Sequence, residues 1–311
     1  MSEKIRFDNQ VAVVTGAGGG LGKEYALLLA RRGAKVLVND LGSDPLGAGS
    51  DKSYAQKVCD EIITSGGIAM ANVDSVATTK GSESIIRQAV DAWGKVDILI
   101  NNAGLVTSQG SLHEVTDEQY DTDMGVAAGG TFRMTRSVWK MMNEQNYGRI
   151  LNVSSGSFFG MGSAIPYPAS KGAVWGMTRG LAVAARMQEK DIKINCIMPV
   201  AHGRMTKFAG PEYEAAMKEQ FPAYSAAPAA AWLVHRDVPC NGEMFFVGGG
   251  RCARIFVGIV PGYYGSKTGS IEEFSNHFDE AMDITGFKIP TSAFDYRDPD
   301  FAWKEFKKMI R

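Results

Sequence analysis

Seven short apolar runs separated by helical patterns constrain the fold of this 311-residue chain more than any other feature. They are Val11 to Thr15, KVLVN at 35–39, IAMANV at 68–73, DILIN at 97–101, GRILNV at 148–153, KINCIM at 193–198 and EMFFV at 243–247. Runs this short and this rich in Val, Ile and Leu read as strands buried on both faces. Between them apolar residues recur at helical spacing. Leu21, Tyr25, Leu28 and Leu29 precede a stop at Gly33, and Ser53–Ser65, Gly81–Trp93, Asp117–Met142 and Tyr167–Gln188 follow. Strand–helix alternation builds a parallel sheet with helices on both faces. The predicted fold is α/β, a doubly wound, parallel, seven-stranded sheet of the Rossmann type.

Two segments depart from this rhythm. The Gly/Ser/Asp-rich stretch 41–53 is long for a strand-to-helix connection. After Gly248-Gly249-Gly250 the alternation stops, yet Phe256, Tyr263, Tyr264, Phe274, Phe278, Phe287, Phe294, Tyr296, Phe301, Trp303 and Phe306 follow. Disordered tails are poor in aromatics, and each large apolar side chain gains about 1.5–3 kcal/mol on burial. Residues 1–250 therefore read as one α/β domain. Residues 251–311 read as an aromatic-rich extension that packs on that body or on a partner subunit of a homodimer or homotetramer.

Composition removes several functions. Thirty-three basic against 34 acidic residues give a net charge of −1, which argues against the polybasic footprint of a nucleic-acid or anionic-membrane partner. No apolar run reaches the ~18 residues of a membrane helix, and the first ten residues, MSEKIRFDNQ, are too polar for a secretory signal. Cys59, Cys196, Cys240 and Cys252 show neither CxxC nor metal-ligand spacing, and His113, His202, His235 and His277 form no metal-like constellation with them. No metal is expected, and the thiols read as reduced ones in a cytoplasmic protein.

The chemistry begins directly after the first strand, at Thr15-Gly16-Ala17-Gly18-Gly19-Gly20-Leu21-Gly22. Glycines between a first strand and its helix let the backbone approach a pyrophosphate while the helix aims free N–H groups at it. Strand two ends in Asp40. An acid there accepts hydrogen bonds from the adenosine ribose hydroxyls and repels a 2′-phosphate, so NAD is preferred to NADP. Asp74 follows strand three and Asn101-Asn102-Ala103-Gly104 follows strand four, both at carboxyl ends where such sheets bind ligands. Ser154-Ser155 ends strand five, and Tyr167 and Lys171 lie one helical turn apart on a shared face. An ammonium about 5 Å from the phenol is worth on the order of 3 kcal/mol at an effective dielectric of about 20, roughly two pKa units downward. That shift, together with the positive nicotinamide ring, brings a tyrosine into range for general base catalysis, with a serine hydroxyl holding the substrate oxygen.

TGAGGGLG, NNAG, NVSS and YPASK, in this order and spacing over residues 11 to about 250, resemble the short-chain dehydrogenase/reductase family. VNDLG, NVDSV, NYGRILNVSS, GRMT, the loop after Asp40 and the extension are similar to a subgroup of it, the (3R)-hydroxyacyl-CoA dehydrogenase part of peroxisomal multifunctional enzymes. The resemblance implies Tyr167 as acid/base, Lys171 on the nicotinamide ribose, and Ser155 orienting the substrate. Gly16, Gly20, Leu21, Gly22, Asp40, Asp74, Asn102, Ala103, Gly104 and Pro199 would line the cofactor together with Tyr167 and Lys171. The pattern departs from the family in three places. Ser154, not Ser155, stands the family's thirteen residues before Tyr167; Ala127 replaces a common Asn; and Val200 follows Pro199. The implied function is an NAD-dependent oxidoreductase interconverting a small-molecule secondary alcohol and a ketone, first a (3R)-hydroxyacyl-CoA. The alternatives are a hydroxysteroid or other cyclic alcohol, a non-catalytic dinucleotide-binding protein, and an interaction protein built around the aromatic extension. A CoA substrate calls for basic residues at the pocket mouth, for which Arg204, Lys207 and Arg251 are candidates.

Overall fold

The computed structural model describes residues 5–44, 47, 49–108, 110–203, 206, 210–265 and 268–295. Arg204, Lys207 and the aromatics from Tyr296 onward lie outside the described residues. The chain divides into two units, 1–254 and 255–311.

In the first unit the strands are β1 (Val11–Thr15), β2 (Lys35–Asn39), β3 (Ile68–Asn72), β4 (Ile98–Asn101), β5 (Gly148–Val153), β6 (Ile192–Pro199), β7 (Met244–Gly248) and β8 (Arg251–Ile255). The helices are α1 (Gly20–Arg31), α2 (Ser53–Thr64), α3 (Thr79–Trp93), α4 (Asp117–Asp123), α5 (Gly129–Glu144), α6 (Pro166–Met187), α7 (Pro211–Gln220) and α8 (Ala227–Leu233). One sheet has the order β3-β2-β1-β4-β5-β6-β7-β8, with parallel pairing from β3 through β7.

Side-chain alternation along each strand divides the core in two. Ala12, Val14, Val36, Val38, Ile98 and Ile100 pack with α1, α2 and α8. Val11, Val13, Leu37 and Leu99 point the other way, onto α3 and α5. Both faces are covered, so apolar residues at every strand position are what the fold requires. The order reverses at β1, whose neighbours are β2 and β4, and a crevice outside the carboxyl ends of strands at such a switch point is where doubly wound sheets bind ligands.

The structure differs from the sequence reading at several points. The sheet has eight strands, because Gly249 and Gly250 adopt φ of 54° and 79° and turn β7 into β8. Positive φ at both central positions is the signature of a tight hairpin, so the triple glycine that reads as an end is a turn. The first unit accordingly extends through most of β8, to Arg254. The expected helix 117–142 is interrupted by a π-helical turn at Met124–Ala128. Helices α7 and α8 went unread, since α7 is weakly amphipathic and α8 is an alanine-rich segment of seven residues.

The second unit holds two short helices, α9 (Ile271–Asn276) and α10 (Phe278–Met282), and a bridge between Ile259 and Lys288. Phe256 stacks on Phe287 and Tyr263 on His277, with ring centroids 5.5 and 4.1 Å apart. None of its described residues is buried.

Candidate active site

Gly16 follows β1 with φ of 62°, and a side chain there would stand 2.9 Å from the Ala103 α-carbon. A side chain on Gly22 would collide with the Gly16 carbonyl oxygen. Both positions therefore accept only glycine. The loop is fastened to the end of β4 from two directions. The Thr15 hydroxyl accepts the Asn102 and Ala103 N–H groups at 3.0 and 3.1 Å, and the Asn102 amide donates to the Thr15 and Gly16 carbonyls at 3.0 Å each. Asn102 thus acts through the loop it holds. The hold of the Thr15 hydroxyl on the loop after β4 is not visible in the sequence, where Thr15 only opens the glycine motif.

Asp40 is buried, and its carboxylate accepts the Gly18 N–H at 2.8 Å and the Gly42 N–H at 2.7 Å. Next to it Asn72 takes the Asn39 amide at 2.8 Å and donates to Asp74 at 3.0 Å, which fixes Asp74 at the rim. Above these residues opens a cavity of about 840 Å³, within the range of cofactor sites. Gly16, Asp40, Asp74, Ala103 and Gly104 line it; Gly20, Leu21 and Gly22 form the first turn of α1, and Pro199 ends β6. Arg133 on α5 also lines it, donating to the Gly125 carbonyl at 3.2 Å. Nothing in the sequence distinguishes Arg133 from the other basic residues of that helix. A tight glycine turn, the open first turn of a helix and a buried acid fit a dinucleotide.

Tyr167 and Lys171 share the α6 face as expected, with Lys171 Nζ 5.6 Å from the Tyr167 ring centroid. Nζ donates to the Val153 carbonyl at 2.9 Å and lies 3.2 Å from where a Gly104 side chain would begin, so cavity and lysine meet at Gly104. The electrostatics differ from the sequence argument. Burial pushes the Tyr167 phenol above its ordinary value; a hydrogen bond with the Ser155 hydroxyl opposes the rise and the Asp123 carboxylate adds to it. Desolvation outweighs the lowering expected from Lys171, because the same burial acts on both groups.

Burial pushes Lys171 itself down to about 8 from 10.5. Below pH 8 the folded chain holds a buried ammonium that the unfolded chain solvates freely. Between about 8 and 10.5 the unfolded chain binds more protons, so this group's penalty fades as pH rises. The stability difference between Lys171→Met and the unsubstituted chain is expected to shift toward the latter over that interval. Thermal melts across the window measure it, and a constant difference contradicts it.

The two serines separate cleanly. The Ser154 hydroxyl is buried and donates to the Lys171 carbonyl at 2.9 Å, tying β5 to α6. Ser155 caps the short 3₁₀ turn Gly156–Phe159, accepts the Ser157 N–H at 3.2 Å, and presents its hydroxyl to Tyr167. Ser154 thus stands in a structural bond and Ser155 on the side of Tyr167. Ala127 is buried within the π-helical turn. Among the described residues no three His, Cys, Asp or Glu side chains stand close enough to hold a metal, and no helix is long and apolar enough to cross a membrane.

Residues 10–213 match the short chain dehydrogenase family model. The chain belongs to the short-chain dehydrogenase family, and it is an oxidoreductase acting on CH–OH groups with a nicotinamide dinucleotide cofactor. It is 42% identical over 257 residues to peroxisomal multifunctional enzyme type 2 of Mus musculus, covering 82% of this chain and 34% of that protein. It is 37% identical over 290 residues to peroxisomal multifunctional enzyme A of Dictyostelium discoideum, covering 93% of this chain and 64% of the other. The chain thus spans from about a third to somewhat under two thirds of these relatives. A short chain dehydrogenase structure from Mycobacterium avium superposes with a TM-score of 0.73 at 30% identity, covering 88% of this chain and 96% of that one. Both curated relatives carry a peroxisomal name, a compartment other than the cytoplasmic one expected from the cysteines.

Proposed function

We propose that the chain is an NAD-dependent dehydrogenase that interconverts the hydroxyl and keto forms of an acyl-CoA, with a (3R)-hydroxyacyl-CoA as substrate. The observation that carries this reading is the grouping of Ser155 and Lys171 around Tyr167, with the Lys171 ammonium beside Gly104, a residue that lines the 840 Å³ cavity. The names of the multifunctional-enzyme relatives support the substrate class.

In this reading the bound cofactor supplies the hydride acceptor. Gly16, Gly20, Leu21 and Gly22 would hold its pyrophosphate, Asp40 its adenosine ribose, and Asp74, Ala103, Gly104 and Pro199 the remainder, while Asn102 fastens the glycine turn that faces it. Lys171 holds the nicotinamide ribose. Ser155 donates a hydrogen bond to the substrate oxygen, and Tyr167 takes the proton of that oxygen as the carbon loses its hydride. Oxidation needs the ionised phenol, so the raised pKa of Tyr167 supports a rate of alcohol oxidation that climbs with pH, while ketone reduction falls.

The test follows reduced nicotinamide with NAD and NADP over a panel of 3-hydroxyacyl-CoAs, hydroxysteroids and cyclic alcohols. NAD is expected to exceed NADP at least ~10-fold in kcat/KM, because a 2′-phosphate would be buried beside the Asp40 carboxylate. Equal efficiencies remove the NAD assignment; turnover of cyclic alcohols alone moves the substrate to that class. Ser155→Ala is expected to reduce kcat far more than Ser154→Ala, and the reverse ranking transfers the substrate contact to Ser154. The exposed aromatics of 255–295 support a homo-oligomer, which light scattering tests; a monomeric mass sinks it. The absence of any disulfide among the four cysteines supports a reducing compartment, and thiol counting on freshly purified protein checks it.

A further inference from the structure

Asp123, the last residue of α4, is fully buried, yet its carboxylate makes four hydrogen bonds. One oxygen accepts the Thr107 N–H at 2.7 Å and hydroxyl at 2.8 Å; the other accepts the Ser108 hydroxyl at 2.6 Å and N–H at 3.3 Å. Among the described residues no Lys, Arg or His forms an ion pair with it. Thr107 and Ser108 lie in the loop after β4, where Leu105 lines the cavity. The chain beyond Asp123 enters the π-helical turn, where Met124, Gly125, Val126 and Ala128 line it too. One carboxylate therefore joins the two segments that form this wall. A buried acid without a cation is a costly way to fasten a loop, and an apolar contact would do so more cheaply. Its place beside the reacting groups supplies a reason: α4 packs on α6, and the Asp123 charge reaches Tyr167.

We propose that Asp123 is a positioning residue that clamps the loop after β4 to the π-helical turn, shaping the wall of the site, and that tunes Tyr167 by its charge. The inference rests on the reading of Tyr167 as acid/base. The other titratable groups around the phenol are Lys171 on its own helix and Cys196 on β6 beside Lys171. The turns Gly156–Phe159 and Met124–Ala128 bring none, Asp117, Glu118 and Asp121 of α4 are exposed, and Arg149 stands at the opposite end of β5. Asp123→Asn keeps the shape but removes the charge and sets an amide N–H against the donors of Thr107 or Ser108. Ser108→Ala and Thr107→Val remove donors and leave the charge.

The experiment titrates tyrosinate absorbance in the full chain and in each variant, with the matching Tyr167→Phe form subtracted so that only Tyr167 contributes. This readout needs no turnover, so an inactive protein would sink the proposed reaction without touching the inference. Asp123→Asn is expected to move the transition to lower pH, and the two hydroxyl variants are expected not to lower it. In steady state all three are expected to raise KM for the alcohol by roughly fivefold or more with plateau kcat little changed, the split expected of lost binding geometry. An unmoved transition in Asp123→Asn, with KM unchanged and only Tm lowered, overturns the proposal. If Asp123→Asn does not fold, the hydroxyl variants decide: a raised KM supports the clamp, and an unchanged KM in both overturns it.

Discussion

Tyr167→Phe is expected to oxidise a secondary alcohol at least ~10²-fold more slowly than the unsubstituted chain, the usual scale for loss of a positioned acid/base. The substitution deletes one oxygen. The ring is 8% exposed and packs within α6, so the helix, the Ser154 bond to the Lys171 carbonyl and the cavity at Gly104 keep their places. NADH binding, followed by fluorescence, is therefore expected to survive while kcat collapses. A second substitution sharpens the result. Ser155 and Tyr167 are proposed to serve the same substrate oxygen, so their losses are expected not to add, and Ser155→Ala with Tyr167→Phe is expected to be little worse than Tyr167→Phe alone. A phenylalanine variant with kcat within a few-fold of the parent would remove Tyr167 from the mechanism, and additive losses would separate it from Ser155.

What the sequence made legible was set by period and by local chemistry. Strands buried on both faces leave apolar runs, and β1, β2 and β5 begin and end where those runs do. The glycine turn was readable because close backbone approach and positive φ restrict the residue types, and Asp40 and the NNAG loop because they stand at the carboxyl ends of strands. Contacts made across the fold left no such trace. Thr15 holds two N–H groups of the NNAG loop, and Asp123 gathers a loop from earlier in the chain. Both look like unremarkable polar residues in one dimension. The burial of Tyr167 and Lys171 was hidden for the same reason: their spacing is a local fact, whereas the burial of both depends on β5, β6 and the turns packed around α6. The family pattern pointed to Ser155, but that Ser154 is spent on the Lys171 carbonyl was visible only in the fold.

Among the described residues Arg149 is the largest side chain buried almost completely, at 1% exposure, and nothing in GRILNV marks it as more than a strand residue. Its guanidinium donates to the carbonyls of Gly148, Asp191, His235 and Arg236 at 2.8–3.3 Å, pairs with the Asp191 carboxylate at 3.1 Å, and lies 4.4 Å from the Tyr147 ring centroid. It thereby joins the start of β5 to the start of β6 and to the segment after α8. Arg149→Leu fills much of the space but leaves several carbonyls without donors. The expected loss is about 3–5 kcal/mol of unfolding free energy, the scale for breaking a buried hydrogen-bonded charge. Arg149→Lys is expected to recover only part of it, since a single ammonium cannot span the four carbonyls that the planar fork reaches. The strand separates this anchor from Ser154 by about 17 Å, at roughly 3.3 Å per residue. Folded Arg149→Leu at low temperature is therefore expected to keep a near-parental kcat while its urea midpoint falls sharply. A midpoint close to the parent's would mean that water replaces the guanidinium at little cost. A kcat that falls with the stability would mean that the two ends of β5 are coupled in a way the rigid sheet does not explain.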